Sequence, residues 1–143
     1  MSKVIHSVAF LGLGAMGYRM AAHLPKQFQD VRVWNRTSSK AEQHAAQYHT
    51  QAVSLHDALQ ADVIISCLPT SQDVEQLIIT AKENGAFNTA NAGKIWIDCT
   101  SGVPDDAKRI RQILSPYGID FLDAPVSGQT IGAENATLTF MVG

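Results

Sequence analysis

Three glycines near the start of the chain have the spacing of a phosphate-binding turn. Gly12, Gly14 and Gly17 form a G-x-G-x-x-G pattern directly after the apolar run of residues 8–11. In such a pattern the first glycine permits a tight turn, the second lets the backbone approach a pyrophosphate, and the third packs a helix closely on a sheet. The alternative is a glycine-rich turn without a ligand. The context predicts a dinucleotide site that also includes the intervening residues Leu13, Ala15 and Met16.

The segment after the second predicted strand indicates which dinucleotide is bound. A carboxylate there would accept hydrogen bonds from the ribose hydroxyls of NAD, but the sequence has Asn35, Arg36 and Thr37. The Arg36 guanidinium would attract an adenosine 2′-phosphate, which a carboxylate would repel. We therefore predict NADP, with NAD as the weaker candidate. The alternative for Arg36 is a solvated loop cation.

Hydroxyl-bearing and apolar residues follow two later strands. One group is expected to line the nicotinamide half of the cleft: Cys67, Leu68, Pro69, Thr70, Ser71, Thr100 and Ser101. Asp98 either fixes this turn as a buried acceptor or takes part in cofactor binding. The five histidines have no metal-ligand spacing, so no metal site is predicted.

The elements that must position these residues alternate along the chain. Strands are predicted over residues 8–11, 31–34, 51–53, 62–68, 94–98, 119–123 and 137–142, with helices between most of them. Ser39 and Glu42 have the spacing of a capping box, and residues 124–136 are expected to be a loop. The alternation predicts a single α/β domain of Rossmann type, with a doubly wound, mostly parallel sheet. Ligands of such sheets bind beyond the carboxyl ends of the strands.

The composition is that of an ordinary globular domain. Of 143 residues, 45% are hydrophobic and 17% are charged, and the net charge is −2. Because there is no basic cluster and the apolar runs are strand-sized, neither nucleic acid nor a membrane is an expected partner. The first strand begins so near Met1 that no signal peptide is expected. Cys67 and Cys99 are predicted to be reduced, as in a cytoplasmic protein.

Four segments, taken in order, resemble the N-terminal cofactor domain of the β-hydroxyacid dehydrogenases. This family includes 3-hydroxyisobutyrate dehydrogenase and relatives of 6-phosphogluconate dehydrogenase. The segments are residues 12–17, 34–37, 68–71 and 123–128, and the resemblance covers essentially the whole chain. It implies hydride transfer between NAD or NADP and a 3-hydroxy acid or its semialdehyde. It also implies cofactor contacts by Leu68, Pro69, Asp73 and Ser101.

The resemblance further implies that Ser127 and Gly128, with the neighbouring Gln129, hold the carboxylate of the substrate. Two residues of this substrate loop depart from the family pattern. Gln129 stands where the family usually has a second glycine, and Ala136 stands where it usually has a glycine before Thr-Leu-Thr. The departures leave the identity of the substrate and the geometry of the loop open.

By the same resemblance, the catalytic lysine of the family lies beyond Gly143, in an all-helical domain. We therefore expect this chain to be the cofactor domain of a longer enzyme, without a catalytic residue of its own. Its homo-oligomerisation is expected through the helical domain. Two alternatives stay open, an imine-type reductase and a non-catalytic NADP-binding sensor or interaction module. Residues 123–128 argue against the imine-type reductase because they resemble the hydroxyacid branch.

Overall fold

The apolar runs of the sequence form the strands of one parallel sheet. The computed structural model describes residues 4–142, so Gly143 lies outside the described residues. The strands of the sheet are β1 (Ser7–Leu11), β2 (Asp30–Trp34), β3 (Gln51–Ala52), β4 (Val63–Ser66), β5 (Ile95–Asp98) and β6 (Asp120–Asp123). Their spatial order is β3-β2-β1-β4-β5-β6, and every pair is parallel. This order confirms the predicted doubly wound Rossmann-type fold, whose strand order reverses between β1 and β4.

Six α-helices accompany the strands in the described part of the chain. They are α1 (Ala15–Ala21), α2 (Ser38–Tyr48), α3 (Leu55–Ala58), α4 (Ser71–Glu83), α5 (Pro104–Leu114) and α6 (Gln129–Asn135). Pro104 is the first residue of α5, where its missing N–H removes no intrahelical hydrogen bond. Ser54 caps α3 by accepting a hydrogen bond from the backbone N–H of Asp57 at 3.1 Å. Over residues 4–142, no helix is long and apolar enough to cross a membrane.

The register of the sheet brings the strand ends to one level. Leu11, the last residue of β1, pairs with Trp34 at the end of β2 and with Ser66 at the end of β4. Ser66 in turn pairs with Asp98 at the end of β5. The segments that follow these four strands therefore meet at one rim, although they lie far apart in the sequence.

Both faces of the sheet are covered. All five residues of β1 are buried, as expected of a central parallel strand. On one face, Leu11 and Trp96 pack in a cluster with α4 and α5, and on the other, Phe10 and Val33 pack with α1 and α2. Trp96 is fully buried, and its indole N–H donates to the Ser66 hydroxyl at 2.9 Å. The rim thus stands on a rigid core.

Two local predictions were wrong. Ser39 does not cap α2, because the helix begins at Ser38 and the capping residue is Thr37, without a side-chain hydrogen bond. The expected loop over residues 124–136 contains a short strand, β7 (Val126–Ser127), and α6. The last strand, β8 (Thr139–Phe140), pairs antiparallel with β7 and does not join the main sheet.

Candidate functional site

A cleft of about 770 Å³ opens at the rim where the strand order reverses. Its volume is in the range of cofactor sites. The site residues that the sequence predicted and that line the cleft come from three rim segments and α4: Gly12, Gly14, Ala15, Met16, Gly17, Asn35, Arg36, Cys67, Leu68, Pro69 and Asp73. Leu13, within the glycine turn, is buried and does not line this cleft.

Two of the three glycines are required by the packing of the protein itself. Gly12 has a φ of +98°, and a Cβ there would collide with the carbonyl oxygen of Cys67. A Cβ on Gly17 would collide with the carbonyl oxygen of Gly12, so only glycine lets α1 pack this closely on the turn. Both residues therefore have the structural roles expected of a G-x-G-x-x-G turn.

Gly14 differs from the other two glycines. Its φ of −74° and ψ of −164° are open to any residue, and a Cβ there would have no protein atom within 4 Å. The protein thus gives no packing reason for glycine at this position. The missing Cβ faces open space at the start of α1, where backbone N–H groups of the first turn have no helical partner. This open space fits a phosphate group.

The side chain of Asn35 holds the glycine turn in place. Its Oδ1 accepts a hydrogen bond from the Leu13 N–H at 2.8 Å, and its Nδ2 donates to the Thr37 carbonyl at 3.1 Å. The Gly12 N–H donates to the carbonyl of Trp34 at 2.9 Å. The end of β2 is therefore tied to the turn after β1, and the Asn35 amide forms part of the cleft wall.

Arg36 lies at the β2 end of the cleft with an exposed side chain. Among residues 4–142, no carboxylate forms an ion pair with its guanidinium. Thr37 is outside the cleft lining and caps α2 through its backbone. This end of the cleft therefore presents a cation and no anion.

One face of α4 forms a wall that the sequence analysis identified only at Asp73. Gln76, Leu77 and Thr80 also line the cleft, at the i+3, i+4 and i+7 positions that share a helix face with Asp73. The opposite face is buried in the core. The helical spacing of these residues from Asp73 is the sequence signal from which the rest of the wall could have been predicted. Two further lining residues went unpredicted, Trp34 and Leu55.

A capping box fixes the start of α4. The Thr70 hydroxyl accepts a hydrogen bond from the Asp73 N–H at 3.1 Å, and Asp73 Oδ2 accepts from the Thr70 N–H at 3.1 Å. These reciprocal bonds satisfy two backbone donors of the first turn. The Asp73 carboxylate is thereby held at the edge of the cleft, while Thr70 lies outside its lining.

The residues after β4 and β5 form a buried hydrogen-bonded corner. Asp98 accepts hydrogen bonds from the Ser66 hydroxyl at 2.9 Å and from the Thr100 N–H at 3.1 Å, and burial raises its pKa. The Thr100 hydroxyl accepts from the Leu68 N–H at 2.9 Å. Thr100 and Ser101 are outside the cleft lining. Asp98 thus has the structural role that the sequence left open.

Cys67 contributes its side chain to the cleft as a neutral thiol. Burial, with a smaller contribution from the charge of Asp98, raises the pKa of the Cys67 thiol to about 11. Cys99 is buried, and both cysteines are free. Cys67 therefore offers an apolar, unreactive surface to a ligand at neutral pH.

The predicted substrate residues lie in the hairpin that leaves the sheet. Ser127 is the last residue of β7, Gly128 has a φ of +132°, and none of residues 127–129 lines the cleft. Gln129 and Ala136 both have left-handed backbone, with φ of +55° and +57°. Glycine adopts this conformation with least strain, which explains why the family pattern has glycine there. Within the described range, no cluster of side chains could hold a metal ion.

The catalytic lysine is expected beyond Gly143, and this expectation falls outside the described part of the chain. The structure describes the chain only as far as residue 142, so the position of the lysine stays a prediction. Of the lysines within residues 4–142, none lines the cleft. The described cleft therefore has the residues of a binding site and no lysine for proton transfer.

Comparisons with known proteins agree with this geometry. Residues 7–143 match the family model described as the NAD binding domain of 6-phosphogluconate dehydrogenase. An uncharacterised oxidoreductase of Shewanella frigidimarina is 44% identical over 95% of this chain and 47% of its own length. The NAD-dependent L-serine dehydrogenase of Pseudomonas aeruginosa is 40% identical over 95% of this chain and 45% of its own length.

A solved structure shares the architecture. The 3-hydroxyisobutyrate dehydrogenase of Mycobacterium tuberculosis, determined with L-serine, superposes with a TM-score of 0.83 and 35% identity, covering 98% of this chain and 47% of that one. The chain thus spans about half the length of the curated relatives it matches. Family and fold together confirm the resemblance seen in the sequence. The chain belongs to the β-hydroxyacid dehydrogenase family, of which it is the N-terminal NAD(P)-binding domain.

Proposed function

We propose that the chain is the cofactor-binding part of an oxidoreductase that transfers hydride between NADP(H) and a 3-hydroxy acid or its semialdehyde. The observation that carries the proposal is the rim cleft, with open space at Gly14 and, among residues 4–142, no ion-pair partner for the Arg36 guanidinium. The open space suits the pyrophosphate, and Arg36 suits a further phosphate on the adenosine ribose. The rest of the cofactor would extend past Leu68 and Pro69.

Arg36 is the reason for preferring NADP. Residues 35–39 after β2 are Asn, Arg, Thr, Ser and Ser, so no carboxylate follows the strand to bind the hydroxyls of an NAD ribose. A dianionic 2′-phosphate beside Arg36 would gain charge-assisted hydrogen bonds that NAD cannot make. The relative from Pseudomonas aeruginosa is named as NAD-dependent, so the preference is a property to be measured in this chain.

The names of two similar proteins support the proposed substrate class. L-serine appears in the names of both the dehydrogenase from Pseudomonas aeruginosa and the solved structure from Mycobacterium tuberculosis. L-serine and 3-hydroxyisobutyrate are both small carboxylates with a hydroxyl on C3. We propose a substrate of this type, with its carboxylate held by Ser127 and Gly128 beside Gln129.

We further propose that proton transfer uses a group outside the described cleft. Among residues 4–142, no lysine or histidine lines it, and Cys67 is protonated at neutral pH. General acid–base help needs a group that exchanges a proton near the working pH. The family lysine beyond Gly143, in a helical domain that also makes the subunit contacts, would supply it. The two free thiols support a reducing, cytoplasmic location.

The test is a spectrophotometric assay of the protein expressed from its complete reading frame. NADP+ is offered with 3-hydroxyisobutyrate, L-serine and other small 3-hydroxy acids, and NADPH with the matching semialdehydes and with cyclic imines. We expect formation or loss of reduced nicotinamide with the hydroxy acids and semialdehydes. Turnover of imines alone, or of none of the compounds, would contradict the proposal.

A further inference from the structure

A buried serine–aspartate pair joins two segments of the rim behind the cleft lining. Ser71, the first residue of α4, donates a hydrogen bond from its Oγ to Oδ2 of Asp106 in α5 at 2.5 Å. The same Oγ accepts from the Val103 N–H at 3.2 Å. Ser71 is 7% exposed and Asp106 is 4% exposed. One hydroxyl therefore connects the start of α4 to the segment that precedes α5.

Gly102 makes room for this connection. A Cβ on Gly102 would collide with the Cβ of Ser71 and would come within 2.6 Å of its Oγ. The segment after β5 can thus approach α4 only because residue 102 has no side chain. Gly102 and Ser71 approach this closely although neither residue belongs to the hydrophobic core or lines the cleft. The contact therefore fixes the position of one segment against the other.

The buried carboxylate of Asp106 is compensated by charge as well as by the hydroxyl. Its Oδ1 accepts a hydrogen bond from Nη2 of Arg109, and Arg109 Nε also pairs with Glu75 of α4 at 3.0 Å. Because a buried carboxylate that loses a partner is left uncompensated, these contacts resist any displacement of α5 from the start of α4. The inner half of this network, formed by Ser71 and Asp106, touches the rim segment, whereas the outer half, formed by Arg109 and Glu75, joins only the two helices.

The pair lies at the end of the cleft opposite Arg36. Arg36 follows β2 and the segment of residues 100–103 follows β5, three strand spacings away in the sheet, or about 14 Å. If the proposed function is correct, the dinucleotide would span this distance with its adenosine at the β2 end. The turn of α4 that holds Ser71 also presents Asp73 to the cleft, shortly after Pro69. Ser71 and Asp106 therefore lie behind the part of the cleft wall that Pro69 and Asp73 form.

We propose that Ser71 and Asp106 are positioning residues for the nicotinamide half of the cofactor. They hold the segment of residues 100–103 against the first turn of α4, and so set the width of the cleft at that end. The inference rests on the proposed dinucleotide function. Neither side chain lines the cleft, so both act on the cofactor only through the position of the wall. Their loss would therefore weaken binding of the nicotinamide half and leave binding of the adenosine half unchanged.

The test compares a whole cofactor with its adenosine half. Dissociation constants for NADP+ and for 2′,5′-ADP are measured by calorimetry on the chain and on Ser71→Ala, Asp106→Asn and Glu75→Gln. We expect Ser71→Ala and Asp106→Asn to weaken NADP+ binding about tenfold and 2′,5′-ADP binding less than about twofold. Glu75→Gln, which alters only the outer half of the network, leaves both constants unchanged. Exchange of the Val103 amide proton, followed by NMR, becomes faster in Ser71→Ala.

Two results would overturn the inference. Equal losses for NADP+ and 2′,5′-ADP would show a general loss of structure, and unchanged constants for both would show that the pair does not act on the cleft. If Ser71→Ala fails to fold, Asp106→Asn decides. A parent chain that prefers NAD+ refutes only the cofactor preference, and NAD+ with AMP then replaces the ligand pair. A parent chain that binds neither dinucleotide refutes both proposals.

Discussion

The Oδ1 atom of Asn35 accepts a hydrogen bond from the backbone N–H of Leu13 at 2.8 Å, which ties the segment after β2 to the glycine turn after β1. The two residues are 22 positions apart in the chain. The bond satisfies the backbone donor of Leu13 inside the glycine turn. Asn35 thus holds the glycine turn in place while it also lines the cleft.

The first prediction concerns this bond. Asn35→Ala leaves the Leu13 N–H without its acceptor and is expected to lower the free energy of unfolding by about 1–2 kcal/mol. Asn35→Asp keeps the acceptor and loses only the donor to Thr37, so it is expected to recover most of that stability. Urea denaturation of the three proteins measures both effects. An Asn35→Ala protein as stable as its parent would mean that the bond contributes nothing.

The second prediction separates the glycine that faces a ligand from one that faces the protein. Gly14→Val places its side chain in open space and is expected to abolish dinucleotide binding while changing stability by less than about 1 kcal/mol. Gly17→Ala drives a Cβ into the Gly12 carbonyl and is expected to cost about 2–3 kcal/mol. Calorimetry and thermal denaturation are the measurements. Cofactor binding retained in Gly14→Val would show that no phosphate occupies this space.

The third prediction concerns the left-handed residue at the end of α6. Ala136 has a φ of +57°, so Ala136→Gly is expected to relieve strain and raise the free energy of unfolding by about 1 kcal/mol. Ala22, at the end of α1, is the matched control, because its φ of −62° suits alanine. Ala22→Gly is expected to lower stability by about 0.5–1 kcal/mol. Losses of stability in both variants would contradict the assigned strain at residue 136.

These residues also show what the sequence could predict. The strand, turn and helix of residues 8–17 could be predicted from the sequence. Their signals are the apolar run, the glycine spacing and the helix start, and each depends only on residues that are close together in the chain. The alternation of elements predicted the doubly wound parallel sheet and the rim at the carboxyl ends of its strands, and the structure supplied the strand order. The family pattern made Gln129 and Ala136 stand out, and the structure supplies the reason, since both have positive φ.

Other features depended on contacts between distant segments and were not predictable. The bond from Ser71 to Asp106 joins residues 35 positions apart, and both residue types are common in exposed helix starts. The Asn35 amide gave no sign in the sequence that its partner would be Leu13. The capping-box spacing at Ser39 was misleading because Thr37 and Ser38 are also able to begin a helix, and the helix starts at the earlier residue.

The fourth prediction concerns the thiol in the cleft. Because the pKa of Cys67 is raised to about 11, its thiolate fraction at pH 7.5 is about two orders of magnitude below that of an ordinary cysteine. In a Cys99→Ser background, the reaction of Cys67 with a disulfide reagent is expected to be slow and to accelerate about tenfold per pH unit up to pH 9.5. Saturating cofactor is expected to slow it further, since Cys67 lines the cleft. A rate that levels off near pH 8.5 would show an ordinary thiol.

The central claim, an NADP site with Arg36 at its phosphate end, is tested most directly by calorimetric titration of the chain with NADP+ and with NAD+. We predict tighter binding of NADP+, and a loss of about 1.5–3 kcal/mol for NADP+ alone in Arg36→Ala, as for a charged hydrogen bond. Lys26→Ala, which removes an exposed cation outside the cleft, is the control and is expected to change neither affinity. Tighter binding of NAD+ by the parent chain, or equal losses for both cofactors in Arg36→Ala, would contradict the claim.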